Sequence, residues 1–226
     1  LEIYFLEYYS EKERSQQGTY NGDTNSIVIY TPEHIKNASR VKNWDGEPQE
    51  LYDQIIKHTL VHELFHMSSS SHDNKNNVLK TGFEYQQLNE DRELILFDNF
   101  KKGYCNNSFI DEGFTDVLTN ITTTNLDLDL GFSYIEESSI VMQLINLGCK
   151  DAFEKGYFKQ MGTSLIQKQL CTIINDPARA EYLISLLNNI GLKKNGPRNY
   201  YMLIKAESRI LDYYDKIIDI ALAITT

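Results

Sequence analysis

The stretch HTLVHELFHMSSSSH, residues 58–72, holds four of the five histidines in the chain. Inside it, His62 and His66 are four positions apart. On a helix that spacing stacks two side chains on one face a single turn apart, so both imidazoles can converge on one ion at about 2.0–2.1 Å. Glu63 is turned away around the axis, where its carboxylate reaches a water beside the ion without acting as a ligand. This division of labour suits hydrolysis: zinc acidifies water and polarises a carbonyl, and the carboxylate carries the proton to the leaving amine. His58 lies one turn earlier. At about 1.5 Å of rise per residue it stands roughly 12 Å from His66 along the axis and cannot share the ion. It reads as a core or hydrogen-bonding residue, and so does the isolated His34.

Two routes lead to a third ligand. In the first, His72 continues the register HExxHxxSxxH, which resembles the metzincin proteases except that Ser69 stands where their pattern has glycine. A glycine there lets the chain turn back sharply, and serine does not share that freedom. In the second, the ligand comes from DEGFTD, residues 111–116. Glu112 and Asp116 are again four apart, so Glu112 can bind the ion while Asp116 accepts the other ring N–H of a ligand histidine and fixes its tautomer. Two histidines and one glutamate leave a coordination position open, which is a catalytic rather than a structural arrangement.

These residues need a scaffold. EIYFLEYY and SIVIYTP are aromatic and β-branched and read as strands, the second stopped by Pro32. From Pro48, proline in the first turn and Leu51, Ile55, Ile56, Leu60, Leu64 and Phe65 at helical spacing predict a helix over 48–69. The serine run behind it reads as a loop. KTGFEYQQL and ELILF carry no assignment. Further helices are expected from Phe109 and from Ser133, the latter capped at Gly148. Beyond Asp151 the pattern is helical, broken at Asp176-Pro177 and at KKNGPRN.

HELFH followed some fifty residues later by DEGFTD resembles the gluzincin, thermolysin-like metallopeptidases, whose second motif is NExxSD. HELFHMSSS, TGFEY, IDEGFTDVLT and KDAFEKGYF further resemble bacterial gluzincin-like proteins with an NEGxTEYLT segment. The resemblance covers about residues 50–158. It implies zinc on His62, His66 and Glu112, Glu63 as general base and Asp116 behind a ligand, with Asp111 and Thr115 departing from the pattern. The pattern along the chain outlines a small N-terminal strand-containing lobe and a larger all-helical C-terminal lobe; the resemblance implies an α+β, zincin-like fold with the metal site between them and SIVIY as the strand edging the cleft before the active helix. Gluzincins commonly place a tyrosine or histidine over the developing oxyanion. Tyr134, at a helix start close behind the ligand segment, is the candidate, with Tyr157 next.

Composition narrows the partners. Lys and Arg number 22 against 32 Asp and Glu, a formal charge of −10, so the overall field repels phosphate backbones and anionic lipid. Nucleic acid is not expected, and a peptide or protein substrate is. No apolar run reaches the roughly 20 residues of a membrane-spanning helix, since IIDIALAI is short and carries Asp219. Cys105, Cys149 and Cys171 lack CxxC spacing and read as free thiols, which leans toward a reducing, cytoplasmic setting. A start at Leu1 leaves export or anchoring by a removed segment open. The 226 residues read as one domain, strand-rich over 1–47, metal-bearing over 48–148 and helical over 149–226. The expected activity is zinc-dependent endopeptidase hydrolysis; the rival is a non-catalytic zinc protein whose helical lobe binds a partner.

Overall fold

The computed structural model describes residues 1–6, 17–30, 48–76, 78–87, 108–125, 133–190, 205–206 and 208–212. His34, Cys105, ELILF, the KKNGPRN break and IIDIALAI lie outside them. The described chain is mixed α and β, with six α-helices and two three-stranded sheets.

The first sheet comprises β1 (Glu2–Leu6), β2 (Gly18–Asn21) and β3 (Ser26–Tyr30) in the order β1-β3-β2. β3 runs parallel to β1 and antiparallel to β2. SIVIY is therefore the central strand, with both edges occupied, and is not the cleft-edging strand that the zincin resemblance implies. Its apolar run reflects a buried position instead, with Ile27 and Ile29 fully enclosed. The exposed edge nearer the helix that follows is β2.

That helix, α1 (Pro48–Ser68), matches the predicted extent to one residue. Its buried stripe runs through Leu51, Tyr52, Ile55, His58, Thr59, His62, Glu63 and His66. These positions recur every three to four residues, so they form one continuous face whose chemistry changes from apolar to polar midway along the helix. The apolar half anchors the helix, which packs against β2 and β3. The polar half presents the site.

The serine run is not a loop. Ser70–Asp73 is a strand, β4, that opens an antiparallel meander with β5 (Val78–Thr81) and β6 (Glu84–Gln87). Asp73 shapes the first turn by accepting the backbone N–H groups of Lys75 and Asn76 at 3.1 and 3.2 Å. This second sheet lies between the two lobes in sequence, so strands are not confined to the N-terminal part.

α2 (Ser108–Thr124) is buried on almost every side, yet carries Asp111, Thr115, Asp116, Thr119, Asn120 and Thr123. Burying so many polar groups requires partners for them. Thr115, Thr119 and Thr123 each donate a hydroxyl at 2.8 Å to the carbonyl four residues earlier, and Asn120 does the same with its amide at 2.9 Å. α3 (Ile135–Leu144) follows, then a wide π-helical turn (Ile145–Cys149) leading directly into α4 (Lys150–Phe158). Gly148, at φ 102, kinks this run rather than ending a helix before a loop. α5 (Ser164–Ile174) ends on left-handed Asn175, and α6 (Pro177–Ile190) starts with proline in its first turn, Asp176 accepting the Arg179 N–H at 3.1 Å.

The main core gathers residues of α2 to α6 around one aromatic group. Phe83 lies within 5.7–6.1 Å of the rings of Phe114, Phe153 and Tyr157. Phe83 comes from the β5–β6 turn, so the meander is fastened into the helical core. Among the described residues no helix is long and apolar enough to cross a membrane.

Candidate metal centre

α1 and α2 pack together and bring one group of potential ligands to a point. His62 Nε2 and His66 Nε2 are 3.1 Å apart, His62 Nε2 and Glu112 Oε2 3.2 Å, and His66 Nε2 and Glu112 Oε2 3.6 Å. Ligands at about 2.0–2.1 Å from a tetrahedral ion are separated by roughly 3.3–3.4 Å, the span of this triangle. His62, His66 and Glu112 are the one such group among the described residues. The imidazole side chains are 8 % and 11 % exposed, and Glu112, at 24 %, keeps the cluster accessible.

The tautomers favour a cation. Asp111 Oδ2 lies 3.2 Å from His66 Nδ1, so that nitrogen carries a hydrogen and Nε2 faces the triangle, where it can bind a cation in place of a proton. Two nitrogens and a carboxylate oxygen this close are held together by a shared proton or by a cation between them. The donor set fits a borderline metal such as zinc, and the three could hold one.

The electrostatics follow from this crowding. Burial alone would raise the Glu112 carboxyl, but hydrogen bonds and attraction from both imidazoles hold it well below the usual range. Burial opposes charge on His66, yet the oxygens of Tyr157, Asp111 and Glu112 outweigh it and hold the ring well above ordinary imidazole. Asp111 is raised by its burial, against the pull of His66 and the Phe83 N–H. Glu63 is raised as well, chiefly by burial, despite the nearby imidazoles. Its carboxylate also accepts the backbone N–H of Tyr20, which links β2 to the site.

Tyr134 stands at the same place. Its ring stacks on His62 with centroids 5.7 Å apart, and its hydroxyl bonds Glu112. The charge on Glu112, then burial and the charge on Glu63, push the phenol upward, so it remains a proton donor. Tyr157 is fully buried, with its hydroxyl 2.7 Å from Thr115 Oγ1, and belongs to the core behind Asp111.

Asp116 corrects one expectation. It does not receive a ligand ring N–H. It accepts the backbone N–H groups of Ser133 and Tyr134 at 3.2 and 2.9 Å and the Ser138 hydroxyl at 2.9 Å, so it caps the start of α3. The carboxylate behind a ligand is that of Asp111. Spacing could not separate the two, because each precedes or follows Glu112 on the same helix and only the position of α3 decides which is taken. Gly113 permits that position: a Cβ there would lie 2.7 Å from Glu137 O, so no side chain fits between α2 and α3.

His72 sits on β4 opposite Leu79 and does not join the ligand group. Ser69, the position of the metzincin glycine, is not among the residues with positive φ, and its N–H continues the helical pattern to Phe65 O at 3.1 Å. His58 is buried a turn before the ligands. No protein-family model, curated protein or solved structure matches this chain.

Proposed function

We propose that the chain is a zinc-dependent peptide hydrolase of the gluzincin type, with His62, His66 and Glu112 as ligands and a zincin-like arrangement of α1 against β2 and β3. The observation that carries this reading is the convergence of the three ligand atoms beside two groups that no structural metal site needs, a buried carboxylate and a protonated phenol.

Zinc held there would polarise a peptide carbonyl and acidify water. Glu63 then accepts a proton from the attacking water and passes it to the leaving nitrogen. Its raised proton affinity suits both halves of the transfer, because a base matched to the working pH also returns the proton readily. The Tyr134 hydroxyl donates a hydrogen bond to the oxygen on which charge develops. The Tyr20 N–H orients Glu63. Among the described residues β2 pairs on one side only, so its outer edge can align an extended peptide.

The test has two arms. Purified protein should carry about one zinc per chain, lost on His62→Ala or Glu112→Ala. Glu63→Gln should keep the metal and lose peptide cleavage by about 10²- to 10⁴-fold. Zinc retained by a protein that cleaves no unfolded polypeptide, and for which Glu63→Gln changes nothing, would identify a non-catalytic metal protein instead.

A further inference from the structure

We infer that the β5–β6 turn, Gly82-Phe83, is a positioning element of the metal centre: its backbone sets the Asp111 carboxylate, and through it the orientation and tautomer of His66. The inference rests on the ligand assignment above, but not on any catalytic activity.

Asp111 is 2 % exposed, so water does not supply its partners. Its two oxygens are divided between two donors: the Phe83 N–H reaches Oδ1 at 2.6 Å, and His66 Nδ1 lies 3.2 Å from Oδ2. A carboxylate held at one oxygen by a fixed backbone amide has little freedom left at the other. The amide is itself immobile, because the Phe83 side chain is fully enclosed by Phe114, Phe153 and Tyr157. On the other side of the turn, the Gly82 N–H donates to Ser69 O at 3.0 Å, directly after the helix that carries both histidines. The turn therefore braces α1 and α2 at once, at the junction where their ligands meet.

Glycine is required at position 82 for two reasons. Its φ of +54 is a left-handed conformation that other residues adopt reluctantly. A Cβ there would also overlap Asp111 Oδ1 and the Tyr157 ring. The nearest atom is the carboxylate oxygen itself, so any accommodation moves the group that orients His66. A turn serving only to fold the meander would have no need to meet a buried carboxylate.

Zinc affinity, measured by competition with a chromophoric chelator, and the visible spectrum of the cobalt-substituted protein give readouts that do not depend on turnover. Gly82→Ala should weaken zinc binding by about 10- to 100-fold and alter the cobalt bands, as loss of a group orienting a ligand does. Tyr85→Phe is the control, because it removes the hydrogen bond from the Tyr85 hydroxyl to Gln160 O and loosens the same meander without touching Asp111. It should lower the melting temperature and leave affinity and spectrum unchanged. Asp111→Ala removes the carboxylate through which the turn acts on His66, so although the Tyr157 clash and the left-handed φ strain Gly82→Ala in either background, adding Gly82→Ala to Asp111→Ala should weaken zinc binding by less than Gly82→Ala does in the wild type. Wild-type affinity and spectrum in Gly82→Ala, or independent additive losses in the double variant, overturn the inference. A wild-type protein that binds no zinc defeats the ligand assignment instead.

Discussion

His62 and His66 present nitrogens 3.1 Å apart beside a carboxylate oxygen, a group that holds together around a proton or a cation. This competition gives the site its pH dependence. His66 is held well above ordinary imidazole, so the metal-free ring keeps its proton near neutrality, and metal must displace it. Zinc affinity should rise as pH increases from about 6 to about 8, with measurable proton release on binding; a flat profile would contradict a protonated metal-free ring. The sign for stability is the opposite. A folded pKa raised above the unfolded one contributes stability that is fully present below the unfolded value and lost as pH rises through the folded value, so the metal-free melting temperature should fall on the alkaline side. Glu112, held low, adds the acid limb: its contribution disappears as pH falls through its depressed range. At this scale the sequence was informative. The pairing of His62 and His66 was legible because helical spacing fixes which side chains share a face, whereas Glu112 was singled out over His72 by the resemblance of DEGFTD to a second metal motif. Asp111 and Asp116 were not legible, because their partners belong to other elements.

α2 and α3 meet through a missing side chain and a buried carboxylate. Gly113 leaves room for the Glu137 backbone, and Asp116 then receives two N–H groups and a hydroxyl from the start of α3. The Tyr134 backbone is placed by this junction, while its ring stacks on His62 and its hydroxyl bonds Glu112. Asp116→Ala should therefore cost about 1–3 kcal/mol in chemical denaturation, since it leaves buried donors without an acceptor. Zinc affinity should stay within roughly threefold, because Asp116 itself contacts no ligand and the Tyr134 side chain keeps its own contacts to His62 and Glu112. Loss of zinc at undiminished stability would restore Asp116 to a place behind a histidine. The helices were readable from period and capping residues. The meander was not: serine and aspartate are poor strand formers, and Ser70–Asp73 becomes a strand because β5 offers it a ladder, a pairing that no local pattern announces.

Across the whole molecule, the acidic balance was visible in composition, and the helical character of the described residues beyond Ser133 was visible in pattern. The site's dependence on the core was not, since Phe83 joins a strand turn to helices far along the chain. The described thiols offer a check on that core. Cys149 is fully buried and its thiol is pushed up to about 12 by that burial, whereas Cys171 is half-buried. In the native protein near pH 8, a thiol reagent should leave Cys149 unmodified until denaturant is added; rapid native modification would mean that the helical core opens readily.

His62 and Glu112 are fifty positions apart along the chain, so an ion gripped by both would act as a removable rivet between two distant stretches of polypeptide. Occupancy at a hundred times the dissociation constant adds about 2.7 kcal/mol to the folded state, a large share of what a domain of this size possesses. Scarcity of the metal would then loosen the molecule, and chelators would hasten its digestion by an added protease.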